Sequence, residues 1–290
     1  MHLSDYDTTQ RYTAIVKQTS RITAQDSPEE VDELILEIDA DNFKFRVGQC
    51  VGVLVSGPHE AGHEFHFRLY NIASSPTLGQ NGKPQIEICV RRCFYIDEYS
   101  GERYPGIASN YLCDRQVGDK LTLCGPYGIP YEIPEDKSAN ILMIGMGTGI
   151  APFRAFVKHI YQAVGTWKGK VRLFYGAHTG MELFYMNDKR NDFSDYYDEE
   201  TFKAFEVINS RPHWGKSTAL EHALLENEAE VWEMICAHNT YVYVAGHENI
   251  IEKLNKALSK MAGSESEWQR RQAELIAGQR WTEIIYQELH

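Results

Sequence analysis

The stretch Ile141-Leu-Met-Ile-Gly-Met-Gly-Thr-Gly-Ile-Ala-Pro152 decides the fold class of the second half of this chain. The continuous apolar run at 141–144 predicts a buried strand, and the glycines after it predict a tight turn. Helical spacing over 151–163 predicts a helix directly after the turn. Glycines let a backbone approach a pyrophosphate, and a helix N-terminus offers unpaired N–H groups. The stretch therefore predicts a nucleotide site, with a structural glycine turn as the alternative.

The rest of the second half follows the same pattern of strand and helix. Apolar runs recur at 171–175, 205–209 and 240–245, with charged helical segments between them. Alternating strands and helices predict a parallel sheet with helical crossovers. A polar stretch at 131–140 precedes this region and suits a linker.

The sequence pattern of the first half predicts a different kind of domain. Short β-branched and aromatic segments, punctuated by Gly, Pro, Asn and Asp, predict strands at 12–18, 31–38, 49–55, 68–72, 85–91 and 120–124. Strands at this spacing favour an antiparallel barrel or sandwich. One helix is expected near 109–114, with Ser109 as its N-cap.

Length and charge limit the classes of function. The 290 residues suffice for two domains, and 43% hydrophobic residues are ordinary for a globular protein. A net charge of -12 argues against nucleic acid or an anionic membrane as the main partner. Arg91, Arg92, Arg103 and Arg115 form either a local basic patch or scattered solvated charges. No secretion signal or membrane-length apolar run is found, so a cytoplasmic location is expected.

The cysteines and histidines predict no metal site. The six cysteines contain no CxxC pair and no iron–sulfur or zinc spacing, so they are expected to be packing thiols. His63 and His66 are three residues apart without a third ligand nearby, which favours a surface pair.

A second motif, Arg68-Leu-Tyr-Asn-Ile-Ala-Ser-Ser75, lies on a predicted barrel strand. An arginine can neutralise a pyrophosphate, and a tyrosine ring can lie against a flat heterocycle. The alternative is an edge strand with a solvated Arg68.

The motifs together resemble the plant-type ferredoxin–NADP reductase family. Arg68 to Ser75 resembles its Arg-x-Tyr-Ser flavin motif, and Gly106-Ile-Ala-Ser-Asn-Tyr-Leu-Cys113 resembles its Gly-Val-Cys-Ser-Asn-Phe-Leu-Cys motif. The Gly147-Thr-Gly-Ile-Ala-Pro-Phe-Arg154 segment is similar to its pyridine-nucleotide loop, and Gly125-Pro-Tyr-Gly128 to its domain-junction turn. Later segments fall in family order, so the resemblance covers almost the whole chain.

The resemblance implies an antiparallel β-barrel FAD domain at 1–134 and a Rossmann-like parallel-sheet NADP-binding domain at 135–290. Arg68, Tyr70 and Asn71 would contact the flavin and its phosphates, and Tyr95 would stack on the adenine. Tyr70, Asn71 and Tyr286 would surround the reacting rings, with Tyr286 covering the flavin. The remaining implied cofactor contacts are Cys89, Val90, Arg91, Ala108, Ser109, Asn110, Gly147, Thr148, Ser210, Arg211 and Lys216.

Several departures from the family lie where the two rings should meet. The family serine is Asn71 here, which can hydrogen-bond but cannot relay a proton. The family cysteine is Ala245, and the family glutamate falls at Ile284, with Glu283 adjacent. Four residues follow Tyr286. These changes argue against the family's proton relay. They do not alter the expectation that the chain binds a flavin.

The coenzyme preference depends on a separate set of residues. A 2′-phosphate needs cationic and hydroxyl partners, which Ser210, Arg211 and Lys216 would provide. The adenine-stacking tyrosine of the family is Thr218 here. The sequence therefore predicts NADP rather than NAD.

The leading hypothesis is an FAD-dependent oxidoreductase that exchanges electrons between NADP(H) and ferredoxin or flavodoxin. The first competing hypothesis is a reductase component that feeds an oxygenase. The second is a non-catalytic flavin-binding regulatory subunit, and the third is a nucleotide-binding scaffold without turnover.

Overall fold

The computed structural model describes residues 5–57, 64–96, 101–128, 133–177, 183–196, 200–208, 219–247 and 249–286, with the backbone alone at His247 and Tyr286. Contacts divide the chain into two compact units. The first is Met1–Tyr131 with Arg154–His159 and His290, and the second is Glu132–Phe153 with Ile160–Leu289. Within the described ranges, no helix has both the length and the apolar character needed to cross a membrane.

The first unit is an antiparallel β structure with one short helix. Its elements are β1 Arg11–Arg21, β2 Val31–Ile38, β3 Cys50–Ser56, β4 Phe65–Asn71, β5 Thr77–Leu78, β6 Pro84–Arg91, β7 Phe94–Ile96, β8 Arg103–Pro105, α1 Ile107–Cys113 and β9 Lys120–Tyr127. Seven strands pair in the order β4-β3-β9-β1-β2-β6-β5, while β7 and β8 form a separate hairpin. A bridge between Ile72 and Ile88 joins the end of β4 to β6, which curls the sheet toward a closed barrel.

Period-two alternation explains why these segments form a barrel. Val51 and Val53 of β3 and Leu121 and Leu123 of β9 are buried in one hydrophobic core. Every second side chain of these strands faces this core, and the intervening positions lie on the opposite face of the sheet, where Leu54 of β3 is buried as well. The antiparallel β domain predicted from the sequence is confirmed, with strand ends shifted by three residues or fewer.

The N-cap predicted for the single helix of this unit is wrong. Helix α1 begins after Gly106, which is the N-cap and makes no side-chain cap bond. Ser109 lies inside the first turn, where its Oγ accepts the N–H of Cys93 at 3.1 Å. The serine therefore links the helix to the segment before β7 instead of capping its own helix.

The second half of the chain alternates strands with helices. Its elements are β10 Asn140–Met146, α2 Ile150–Lys158, β11 Val171–Ala177, β12 Met186–Asn187, β13 Arg190–Asn191, β14 Phe202–Ile208, α3 Ala219–Glu226, α4 Glu228–Cys236, β15 Thr240–His247, α5 Asn249–Met261, α6 Glu265–Ala277 and β16 Trp281–Tyr286. A π-helical turn, His159–Val164, continues α2. Five strands form a parallel sheet in the order β14-β11-β10-β15-β16, and this confirms the predicted parallel sheet.

The sheet order positions the functional edge of the second unit. From β10 the chain moves outward to β11 and β14, then returns to the other side of β10 for β15 and β16. In such open sheets, ligands bind outside the carboxyl ends of the strands, at the point where the order reverses. That point lies between β10 and β15. Helix α5 stabilises it by packing Ile250, Leu254 and Leu258 into the same core as Ile144 and Val244.

Candidate functional site

The glycine turn after β10 lies at this reversal point. A 3₁₀ turn, Gly147–Gly149, leads from Met146 into α2. Gly147 has φ +57°, in the left-handed region, and a Cβ added there would meet nothing within 4 Å. A Cβ on Gly149 would instead lie 2.4 Å from the carbonyl oxygen of Ala245. One glycine therefore sets the turn, and the other allows it to contact the end of β15.

Strand register brings the predicted nucleotide residues to one edge. Gly145 pairs with Ala245 on one side and with Tyr175 on the other. On the outer strand, Ala245 pairs with Ile284, and His247 pairs with the backbone of Tyr286. The carboxyl ends of β10, β15 and β16 thus lie side by side, next to Gly147 and the half-exposed Thr148.

The residues that depart from the family at positions 245, 283 and 284 lie on the neighbouring strands β15 and β16. Ala245 is fully buried, and Ile284 is its neighbour on β16. Glu283 pairs with Val244 and accepts a hydrogen bond from the indole N–H of Trp281. Because strand residues alternate between faces, position 286 has the same parity as Ile284 and the opposite parity to Glu283. Glu283 therefore does not replace the family's acid.

The residues predicted to contact the 2′-phosphate lie outside the described ranges. These residues are Ser210, Arg211 and Lys216. Thr218, at the expected adenine-stacking position, lies outside the described ranges as well. Their assignment stays a prediction, and so does the role of the Tyr286 side chain.

Among the predicted site residues of the first unit, Arg68 is a charged group that fits an anion. Its side chain is half-buried on β4, and its guanidinium donates to the carbonyl oxygen of Phe67 at 2.8 Å. Burial lowers the pKa of Arg68 from its usual value. Within the described ranges, no carboxylate forms an ion pair with it. Although β4 ends the strand order, the guanidinium is not simply solvated, and a pyrophosphate would supply the missing negative charge.

Tyr70 and Asn71 follow Arg68 along the same strand. Tyr70 packs against the barrel core, and burial raises the pKa of its hydroxyl, as do the nearby thiols of Cys93 and Cys113. The phenol therefore stays neutral and can donate a hydrogen bond at physiological pH. Asn71 pairs with Cys50 of β3 at the carboxyl end of β4.

The backbone of Cys93 joins α1 to the β7–β8 hairpin. Its N–H is bonded to Ser109, and its carbonyl oxygen accepts from the N–H of Gly106 at 2.9 Å and from Nδ2 of Asn110 at 2.8 Å. Oδ1 of Asn110 accepts from Arg92 at 3.0 Å. Ser109 and Asn110, two predicted pyrophosphate contacts, thus hold the start of α1 in place. The sequence did not indicate this role for Cys93, because it is carried by backbone atoms.

The hairpin presents an exposed aromatic pair. The rings of Tyr95 and Tyr104 stack with centroids 5.5 Å apart and planes inclined by 21°. They are 49% and 39% exposed, which leaves aromatic surface available to a purine. Arg103 lies over the ring of Phe94 at 3.7 Å. The sequence identified Tyr95 through the family motif but missed Tyr104, which that motif does not contain.

Three predicted contacts can act only through their backbone. The side chains of Cys89, Val90 and Ala108 are 6%, 0% and 2% exposed, since they fill the barrel interior or its margin. Arg91 is half-exposed and lies 3.7 Å from Glu29.

The possible basic patch is largely neutralised. Carboxylates lie beside three of its four arginines: Glu29 beside Arg91, Glu30 and Asp114 beside Arg92, and Asp119 beside Arg115. Arg103 contacts an aromatic ring instead. The structure favours the scattered arrangement.

One cluster in the first unit has ligand-type atoms close together. Glu30, Asp32 and Cys113 each offer one such atom, all within 4.8 Å of one another. Arg92 Nε lies 2.9 Å from Glu30, so a cation already faces the cluster. Burial raises the pKa of Asp32, which further disfavours two ionised carboxylates there.

All six cysteines are free thiols.

Arg154 is the last residue of the nucleotide motif, but its contacts lie within the first unit. It is 1% exposed, donates to the carbonyl oxygen of Ala73 at 2.9 Å, and forms ion pairs with Glu33 and Glu87. Its charge is therefore already paired.

An antiparallel barrel followed by a parallel sheet with a glycine turn at its reversal point defines a two-domain class of nucleotide-dependent oxidoreductases. Residues 143–256 match the family model described as the oxidoreductase NAD-binding domain. The chloroplastic ferredoxin–NADP reductase leaf isozyme 1 of Oryza sativa subsp. indica is 30% identical over 274 residues, which is 92% of this chain and 74% of that protein. The ferredoxin–NADP reductase of Spirulina sp is 30% identical over 258 residues, 87% of each chain. The chain belongs to the ferredoxin–NADP reductase family.

The fold agrees with solved structures of that family. The ferredoxin–NADP+ reductase of Plasmodium falciparum with 2'P-AMP matches with a TM-score of 0.73 and 19% identity. The alignment covers 97% of this chain and 98% of that one. The agreement over nearly the full length of both chains confirms the two-domain fold.

Proposed function

We propose that this chain holds FAD on its first unit and NADP(H) on its second, and transfers electrons between NADP(H) and a one-electron carrier. The observation that carries the proposal is the glycine turn, Gly147–Gly149, at the carboxyl edge where the strand order reverses. Family membership supplies the carrier class, since the named relatives are ferredoxin–NADP reductases.

The first unit has donors suited to each part of FAD. Arg68 and the backbone N–H groups in the first turn of α1, which Ser109 and Asn110 hold in place, would bind the pyrophosphate. Backbone groups of Cys89, Val90 and Arg91 would line the ribityl chain, and Tyr95 would stack on the adenine. Tyr70 would lie against the isoalloxazine and donate its phenolic proton in a hydrogen bond. FAD, when bound, supplies the chemistry that joins two-electron to one-electron transfer.

The second unit would orient the nicotinamide nucleotide. The backbone N–H groups at Gly147 and Thr148 suit the pyrophosphate, and Tyr286 would cover the flavin until nicotinamide displaces it. Asn71 would hydrogen-bond to the flavin edge, but its amide has no proton to transfer at neutral pH. With Ile284 at the acid's position and Glu283 engaged with Trp281, protons would reach the flavin from solvent and not through these side chains.

Coenzyme choice is the first test of this function. Ser210, Arg211 and Lys216 would bind the 2′-phosphate, so NADPH should reduce the flavin more efficiently than NADH. NADH has no 2′-phosphate, and the absence of even one charge-assisted hydrogen bond corresponds to about a tenfold or larger difference in kcat/KM. The measurement is anaerobic bleaching of the flavin absorbance by each coenzyme. Equal efficiencies would refute the NADP preference, and no bleaching by either would favour the scaffold without turnover.

Ferredoxin is the first carrier to test and flavodoxin the second. Electron delivery to an oxygenase remains the second candidate function, and reoxidation of the flavin by neither small carrier would favour it. The domain boundary between residues 134 and 135 and the cytoplasmic location are retained as predictions of the sequence.

A further inference from the structure

Tyr175 is a fully buried residue of β11 whose hydroxyl contacts the glycine turn of the nucleotide site. The hydroxyl donates to the carbonyl oxygen of Gly147 at 3.0 Å. The backbone N–H of Phe184 donates to the same hydroxyl oxygen at 3.1 Å. One side-chain atom therefore joins the turn after β10 to the segment that follows β11.

This contact controls the direction of one peptide group. The carbonyl of Gly147 also accepts the N–H of Ile150, so both of its lone pairs are directed into the protein. In a trans peptide, the C=O and the next N–H point in opposite directions. The N–H of Thr148 therefore points away from Tyr175. Gly147 has φ +57° and open space where a side chain would be, so its own packing does not fix the peptide.

The segment that holds the other side of the hydroxyl is firmly packed. Leu183, Phe184, Tyr185 and Met186 are at most 5% exposed. Tyr185 has φ +63°, a conformation that a tyrosine keeps only where its surroundings fix it. The hydroxyl of Tyr175 thus connects the glycine turn to a buried segment of the same unit.

We infer that Tyr175 is a positioning residue for NADP(H), which orients the Thr148 N–H toward a nucleotide phosphate without touching the nucleotide. This inference rests on the proposed placement of NADP(H) at the glycine turn. Without the hydroxyl, the Gly147 peptide loses one of its two hydrogen bonds and samples orientations that turn a carbonyl oxygen toward the phosphate.

The test is Tyr175→Phe, which removes only the hydroxyl. In the FAD-loaded protein, the Kd for NADP⁺ and the KM for NADPH should both rise about fivefold, the equivalent of one ordinary hydrogen bond. The kcat and the KM for the carrier should stay unchanged, because the lost interaction serves nucleotide binding alone.

Tyr196→Phe is the matched control. Tyr196 is also buried in the second unit, and its hydroxyl accepts from Nε2 of Gln162 at 2.9 Å. Both variants should lower the melting temperature, but only Tyr175→Phe should weaken nucleotide binding. Equal nucleotide Kd values for the two variants and the unmodified protein would overturn the inference.

A second pair of variants separates this inference from the function on which it rests. Gly147→Ala strains a left-handed residue at the turn, while Gly263→Ala strains one with φ +81° between α5 and α6, also with no atom within 4 Å of the added Cβ. Gly147→Ala should weaken NADP⁺ binding and Gly263→Ala should not. If Gly147→Ala weakens binding but Tyr175→Phe does not, the role of Tyr175 is refuted and the site stands. If neither weakens binding, the placement of NADP(H) at the turn is refuted as well.

Discussion

Arg68 is a single residue for which the sequence left two interpretations open and the structure favours one. The two interpretations are a phosphate partner and a solvated arginine at a sheet edge. Both the edge position of β4 and the half-burial of the guanidinium are found in the structure. Pattern alone could not decide between the two, because burial depends on the packing of strands that are distant in sequence. The partial burial of Arg68, with no carboxylate paired to it within the described ranges, favours an anion-binding role.

Replacing Arg68 should therefore weaken FAD binding. Arg68→Ala removes a charge-assisted hydrogen bond, worth about 1.5–3 kcal/mol, so FAD affinity should fall by about tenfold or more. The measurement is the flavin content after gel filtration, together with the Kd of the apoprotein for FAD.

Arg46→Ala is the control for this change, since Arg46 is an exposed arginine of the same unit. It should retain its full flavin content. Flavin retention in Arg68→Ala equal to that of Arg46→Ala would rule out Arg68 as a phosphate contact.

At the scale of elements, the sequence pattern predicted most buried strands and missed some exposed and edge strands. The strands β2 and β10 were located to within one residue at their N-terminal ends, because nearly continuous burial leaves segments rich in β-branched and apolar residues. The hairpin of β7 and β8 and the edge strand β16 were not identified as strands. β7 and β8 are exposed on all positions, so they lack a buried face. The start of α1 was misplaced because Ser109 bonds to a neighbouring segment instead of its own helix.

The contact between β11 and α4 gives a pH-dependent contribution to stability. Arg172 is 4% exposed and donates to Oε1 of Glu230 at 2.6 Å. This hydrogen bond lowers the pKa of Glu230 below its usual value. A depressed carboxyl pKa stabilises the fold above the unfolded-state pKa, and this stabilisation is lost as pH falls through the folded-state pKa.

Glu230→Gln should therefore destabilise the protein at neutral pH and have little effect in acid. The expected loss at pH 7 is about 1–1.5 kcal/mol, the difference between charged and neutral hydrogen bonds. Urea unfolding across a pH series measures it. Glu228→Gln is the control, because Glu228 is an exposed residue in the same first turn of α4 and has the same relation to the helix dipole. A loss that is the same at pH 7 and in acid would contradict the assignment to this ion pair.

At the scale of the whole molecule, the order of motifs along the chain predicted more than any single motif. The strand and helix patterns predicted the antiparallel β domain and the parallel sheet, and the resemblance of several motifs in family order implied the family. The sequence could not predict which arginines would be neutralised by Glu29, Glu30, Asp114 and Asp119, since these pairs depend on tertiary contacts. It also could not reveal Tyr175, whose role depends on one hydroxyl joining two segments that follow neighbouring strands.

The central claim is that the chain exchanges electrons between NADP(H), which carries two electrons, and a small carrier that takes them one at a time. It is tested most directly by anaerobic titration of the FAD-loaded protein, first with NADPH and then with oxidised ferredoxin. About one equivalent of NADPH should bleach the flavin, and about two equivalents of ferredoxin should restore its absorbance. A flavin that NADPH reduces but neither ferredoxin nor flavodoxin reoxidises would contradict the claim.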